Sequence, residues 1–317
     1  MSDFFLGVDG GQSGTVAVIG DAAGRIVSWA TAGPCNHVAA TEARAKFLRV
    51  MSECLTTAAR RAGVDLENTR FRAACLGMSG GPEDKSALLH EIVHAERMIV
   101  THDGRIALAG AMSGGPGVIA IAGTGSIAYG ENERGESARA GGWGYVFGDE
   151  GSGFDIVRHA LRAILREHEG WGPRTALTPA LLESTETANA NEMLHLLYKP
   201  EWPRSRAATL AQVVSRIAEE GDPVAIHILQ SAAQNLAMLS ASVRRQLWGE
   251  DVPSNLAWIG GVFNSPVVLE RFKMLVEMEG KTTAAAPLHS PAAGALMLAW
   301  RSVELLLVPE PFELQIK

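Results

Sequence analysis

Residues 5–20 read FLGVDGGQSGTVAVIG, and residues 117–130 read GVIAIAGTGSIAYG. Each is an apolar run of strand-forming residues that breaks at glycine with serine or threonine and then resumes as an outgoing strand. The same turn is therefore made twice. Glycines let backbone N–H groups approach an anion closely, and the hydroxyls of Ser13, Thr15, Thr124 and Ser126 add donors. A phosphate chain held from two sides is the ligand such turns fit. Its candidate contacts are Gly10, Gly11, Gln12 and Ser13 in the first turn, with Gly123, Thr124 and Gly125 in the second.

Working outward from the first turn, strands are expected at 4–9, 15–20 and 25–31, followed by a helix near 39–62 with apolar residues at helical spacing. Strand and helix then alternate: 72–78, helix 85–96, 98–101, helix 104–112. The order is βββαβαβα. The second half begins the same way, with strands near 118–122, 126–130 and 136–140 and a helix over 150–168. A strand at 256–260, a helix at 266–279, a strand at 281–285 and a helix at 291–306 follow, after an inserted, mostly helical stretch of 170–250. A duplicated α/β unit accounts for the length and the repeated turns. The expected domains are 1–113 and 114–317, hinged near 112–117, in SGGPG, with the last helix free to pack back on the first domain. Two such units would flank a cleft.

The 317 residues exceed one ordinary core, and an apolar content of 47% supports two. With 28 basic and 35 acidic residues the net charge is -7, which offers no footprint for nucleic acid or an anionic membrane. The start MSDFFLGVDG has no basic segment ahead of its apolar residues, and no run is long enough to span a bilayer. A cytoplasmic protein is expected. Cys35, Cys54 and Cys75 are odd in number and lack a CxxC pair, which points to reduced, buried thiols.

Asp9 stands where the first strand meets its glycine turn, so its carboxylate would lie beside any phosphates held there and could hold a hydrated Mg2+. The alternative is a turn-forming Asp that bonds its own backbone. Asp103 follows MIVT and precedes a helix, at a strand's carboxyl end, where α/β ligand sites collect. It is either a general base for an alcohol attacking a γ-phosphate or a helix N-cap. The block GGWGYVFGDEGSG, 141–153, holds six glycines, a tryptophan and adjacent carboxylates. Asp149 with Gly142 and Gly144 fits a neutral, hydroxyl-rich ligand; the competing reading makes Trp143 a core aromatic and Asp149 or Ser152 an N-cap. WIGGVFNSP, 258–266, repeats strand, Gly-Gly and helix opening, and a flat ligand could lie on Gly260 and Gly261. His90, Glu91 and His94 spell HExxH, but no later helix offers an evident third ligand, and the arrangement is read as a decoy.

Taken together, GVDGGQSGT, GPCNH, THD, AGTGS, GGWGYVFGDEGS and GGVFNS resemble the sugar kinase, Hsp70 and actin superfamily, most closely its N-acetylglucosamine kinase and BadF/BadG-type ATPase branch. The resemblance runs nearly end to end. It implies duplicated ribonuclease H-like, actin-like ATPase domains and ATP-dependent phosphorylation of an amino sugar's 6-hydroxyl. N-acetylglucosamine is the implied substrate, with glucosamine as its rival, and a homodimer is implied. It implies sugar contacts at Asn36, Asp103, Thr124, Gly142, Trp143, Gly144 and Asp149, nucleotide contacts at Ser13, Thr124 and Gly261, and a place for Ala218 near the nucleoside. Asp103 would deprotonate the sugar while Mg2+ and the two turns stabilise the transferring group. Relatives of another function, ATPases that activate a partner protein, hold an iron–sulfur cluster through cysteines, which are not suitably spaced here. Two departures stand out. Ser13-Gly14 replaces the Thr-Lys or Thr-Arg frequent in such turns, and His102 replaces a small residue or Asn before the catalytic Asp.

Overall fold

The computed structural model describes residues 3–11, 14–35, 40–80, 85–278 and 281–310. The chain divides into two compact units, Met1–Pro116 with Ala286–Lys317 and Gly117–Ala285, so it passes from one to the other twice.

The first unit is built on strands β1 (Phe4–Gly10), β2 (Thr15–Asp21), β3 (Ile26–Ala32), β4 (Phe71–Met78) and β5 (Ala95–His102). Their order in the sheet is β3-β2-β1-β4-β5. The β1–β2–β3 meander is antiparallel, while β4 and β5 add in parallel, as strands joined by helical crossovers must. The crossovers are α1 (Ala40–Arg61) and α2 (Ser86–Ile92), and α3 (Asp103–Ala111) follows β5.

Alternation along β1 sends Leu6 and Val8 into the core shared with Met51, Leu55 and Leu89, and Phe5 into a second core with Ile106, Leu296 and Trp300. Both faces of this sheet are thus buried. The second face is covered by the last described helix, Pro291–Arg301, whose Ser290 accepts from Ala293 N at 3.3 Å as its N-cap. This helix crosses β1 so closely that a Cβ on Gly7 would lie 2.4 Å from Leu296 N, which only glycine permits.

The second unit repeats the plan: β6 (Gly117–Ala122), β7 (Ser126–Glu131), β8 (Ser137–Gly141), β9 (Ser254–Ile259) and β10 (Thr282–Ala285), in the order β10-β9-β6-β7-β8. Matching the two orders pairs β1 with β6, β2 with β7, β3 with β8, β4 with β9 and β5 with β10. The expected α/β duplication is what the chain adopts.

Its helices are α4 (Gly153–His168), α5 (Leu177–Thr185), α6 (Ala190–Leu197), α7 (Arg204–Thr209), α8 (Ala211–Glu219), α9 (Pro223–Leu247) and α10 (Pro266–Met278), which makes Pro291–Arg301 of the first unit α11. Helix α9 packs on β7 and β8 as α1 packs on β2 and β3, so the helices added to the repeated plan are α4 to α8. This corrects the expectation that the helix at 150–168 is the counterpart of α1.

Two boundaries also differ. The helix expected over 85–96 ends at Ile92, because β5 starts at Ala95 to pair with Phe71, and Arg72–Glu96 bridges the two strands at 2.6 Å. The last helix ends at Arg301 rather than 306, and Leu305 and Leu307 pack beyond it on the same core.

Candidate functional site

Register brings the chemistry of the first unit to one sheet end. Asp9 is opposite Gly77, and Gly77 is opposite Thr101, so Asp9, next to last in β1, and Asp103, directly after β5, stand at the carboxyl ends of the strands on either side of β4. Strands on either side of a third lie about 10 Å apart. Burial, and then the charge of Asp103, push the Asp9 carboxyl from its ordinary value up to about 7. Among the described residues, no ion pair is made to Asp9.

The turn after Asp9 is closed by Gly11 N donating to Gly14 O at 2.9 Å, and Ser79 N donates to Gly10 O at 3.0 Å. Gly10 is packed against Met78 and Cys35, whose sulfurs a Cβ would meet at 2.6 and 3.2 Å. The turn therefore stays thin because β4 and the segment after β3 close on it. Gln12, Ser13 and Asn36 lie outside the described residues.

Asp103 does not cap its helix. That role belongs to His102, whose Nδ1 accepts from Arg105 N at 3.3 Å. Asp103 is instead the first helical residue: Gly104 N donates to its Oδ1 at 2.9 Å and Ser79 Oγ to its Oδ2 at 2.6 Å. Both carboxylate oxygens are thereby oriented. Lys85 Nζ donates to the Ser79 carbonyl at 2.8 Å, which holds the serine from its other side. Sequence reasoning does not find Ser79 and Lys85, although MSGG closing a strand is a signal for the serine.

In the second unit the repeated turn is braced from several sides. Gly123 N donates to Gly125 O at 2.9 Å, and Gly153 N, at the start of α4, donates to Gly123 O at 2.8 Å. Ser126 Oγ donates to Glu150 O at 2.7 Å, and Gly142 N to Ser126 O at 3.0 Å. The 141–153 block thus folds onto the turn. Thr124 is half-buried at its tip.

Pairing of β6 with β9 places Gly260 beside Ala122, where φ is +114° and a Cβ would lie 2.2 Å from Ala122 O. Gly261, with open space around it, then begins a single 3-10 turn, Gly261–Asn264. Gly261 thus follows directly on the residue packed against Ala122, where the second turn begins. Ser215 Oγ on α8 donates to Ser265 Oγ at 2.8 Å, bringing α8 to the same end. Ala218, also on α8, is only 3% exposed, with its methyl enclosed in the second unit's core.

Gly142 and Gly144 both take the left-handed conformation, and between them Trp143 is 66% exposed with the Arg139 guanidinium 4.9 Å above its ring. It is not a core aromatic. The N-cap of α4 is Ser152, which accepts from Asp155 N at 3.2 Å. Asp149 is 5% exposed and left-handed at φ +64°; Ser126 N donates to its Oδ1 at 3.3 Å and Arg204 Nη1 to its Oδ2 at 3.0 Å. No sequence pattern points to Arg204.

The HExxH residues separate. His90 is on α2, with its Nδ1 2.7 Å from Ser86 O, and Glu91 pairs with Arg44 at 3.0 Å, but α2 ends before His94. They share no helical face. Among the described residues, no group of three His, Cys, Asp or Glu is arranged to hold a metal. The three thiols are buried and unpaired with one another, and burial pushes those of Cys54 and Cys75 up to about 12.

The sequence model of the BadF/BadG/BcrA/BcrD ATPase family matches residues 6–299. The chain is 31% identical over 303 residues to the N-acetylmuramic acid/N-acetylglucosamine kinase of Clostridium acetobutylicum, covering 93% of this chain and 98% of that protein. It is 30% identical over 323 residues to the N-acetyl-D-glucosamine kinase of Dictyostelium discoideum, covering 95% and 98% respectively. A solved structure from Chromobacterium violaceum, assigned as an N-acetylglucosamine kinase, superposes with a TM-score of 0.78 at 25% identity, over 94% of this chain and 99% of that one.

Proposed function

Because the chain belongs to the BadF/BadG/BcrA/BcrD ATPase family, we propose that it is an ATP-dependent sugar kinase that phosphorylates the 6-hydroxyl of N-acetylglucosamine. The observation that carries the reading is the Asp9–Asp103 pair at the carboxyl ends of β1 and β5. Phosphoryl transfer to an alcohol needs two different things of carboxylates, a proton acceptor and a metal ligand.

Asp103 has the first role. Ser79 and Gly104 fix the plane of its carboxylate, so it is presented rather than free to rotate. Asp9 has the second. A carboxyl pushed upward by desolvation, and then by a neighbouring negative charge, is relieved by a cation, and the hard oxygen donor suits Mg2+. When bound, that ion would neutralise charge on the transferring group. The phosphate contacts of this reading are Gly10, Gly11, Gln12, Ser13, Gly123, Thr124 and Gly125, and Gly261 is its nucleoside contact. Asn36, Asp103, Thr124, Gly142, Trp143, Gly144 and Asp149 hold the sugar, the exposed indole face of Trp143 giving the ring an apolar wall.

The relatives' names support the acetylated substrate. An ATPase that activates a partner through a cysteine-held cluster is less well supported, since all three thiols are buried. A cytoplasmic homodimer completes the reading. Among the described residues no helix is long and apolar enough to cross a membrane, and light scattering of the purified protein checks the dimer.

The test is ADP release from ATP with no sugar, N-acetylglucosamine, glucosamine and glucose. The expected result is turnover that requires a sugar and is fastest with N-acetylglucosamine, giving a 6-phosphate by phosphorus NMR. Turnover independent of sugar contradicts the kinase reading, and preference for glucosamine contradicts the acetylated substrate alone.

A further inference from the structure

We infer that Arg204, contributed by the added helices of the second unit, is a positioning residue for Asp149 and so a determinant of sugar affinity. The inference rests on the proposed sugar-kinase reading, in which Asp149 meets the acceptor. Its own support is geometric. Asp149 is buried and its backbone left-handed, an uncommon state for a residue with a side chain, so its carboxylate is held in place by its surroundings. One oxygen accepts from Ser126 N at 3.3 Å; the other is 3.0 Å from Arg204 Nη1. The same carboxylate fills the space that a Cβ on Gly125 would occupy, 2.9 Å away. Its position and that of the second glycine turn are interlocked.

A carboxylate this enclosed is matched by a charged partner, and the Arg204 guanidinium supplies one with a fixed plane. A carboxylate has about four acceptor sites, and the bonds from Ser126 and Arg204 leave others for neighbouring hydroxyls. A ring bearing adjacent OH groups is the ligand class this suits. Arg204 also lies 5.0 Å over the Tyr145 ring, within the loop that carries Trp143. It stands at the start of α7, and α7 is packed on α4, where a Cβ on Gly153 would come within 3.2 Å of Ala208 O. The added helices therefore deliver a cation to the 141–153 block from 55 residues further along the chain.

The test is steady-state kinetics of Arg204→Met, Arg204→Lys and Asp149→Asn, with KM for N-acetylglucosamine and for ATP measured separately. Loss of a buried charge partner is expected to raise the sugar KM about tenfold or more in Arg204→Met, with the ATP KM within about twofold of wild type. Arg204→Lys keeps the charge but loses the planar fork, and is expected to show the same split to a smaller extent. The double variant Arg204→Met/Asp149→Asn should be no worse than the worse single, because both remove one interaction. A wild-type sugar KM in both Arg204 variants overturns the inference, as do sugar and ATP KM values that rise together. If Arg204→Met does not fold, the KM split in Arg204→Lys decides. A wild-type enzyme without sugar-dependent turnover overturns the kinase reading and this inference with it, whereas normal wild-type turnover with unaffected Arg204 variants overturns this inference alone.

Discussion

The surroundings of Asp9 work against its charge. Its raised carboxyl keeps a proton that the unfolded chain has already released above the ordinary value of 3.8. The native state then binds more protons than the unfolded one between that value and about 7, so stability falls as pH rises through this window. Asp9→Asn removes the slope. Its melting temperature is expected to exceed wild type at about pH 8 and to meet it below about pH 4, with Mg2+ and ATP raising the melting temperature of wild type more than that of the variant. An identical pH dependence in both proteins would count against the burial and the Asp103 repulsion assigned to this carboxyl. Asp9 and Asp103 are legible in the sequence because each ends a strand in a recognisable pattern. The hydrogen bond from Ser79 and the ion pair from Arg204 are not, because one depends on strands brought alongside by pairing and the other on a helix packed from far along the chain.

At the scale of elements, the repeated strand–glycine–strand turn is legible, since period-two apolar runs broken by glycine have few other outcomes. The fold class follows from it, and the sheet orders of the two units match strand for strand. The short helix α2 is not bounded correctly by its sequence. Its apolar spacing continues past Ile92, but parallel pairing with β4 claims the residues from Ala95 onward for a strand. Which helix covers the second sheet is also hidden, because α4 and α9 have equally helical sequences and only packing separates them.

Gly260 shows how tightly the second unit's elements close. A Cβ there meets Ala122 O at 2.2 Å, with φ in a range side chains rarely adopt. Gly260→Ala is expected to cost about 3 kcal/mol or more by urea unfolding, and to weaken nucleotide binding by shifting Gly261 away from the turn. Wild-type stability in that variant would mean that β9 and the turn are not joined there.

For the whole molecule, two units of the same plan carry different residues. The first contains Asp9, Asp103 and one glycine turn; the second contains the other turn, Gly261 and the exposed Trp143. The chain returns to the first unit to lay α11 on its sheet, burying Trp300 against Phe5 with ring centroids 6.3 Å apart. In the proposed reaction the protein transfers a phosphoryl group to a sugar hydroxyl whose proton Asp103 accepts. The most direct test is sugar-dependent ADP release by Asp103→Asn beside wild type at saturating ATP and N-acetylglucosamine. The substitution keeps the size of the side chain and removes its basicity, so turnover should fall by about 10²–10⁴-fold while the melting temperature and ATP binding stay close to wild type. Turnover equal to wild type in the folded variant would contradict the account.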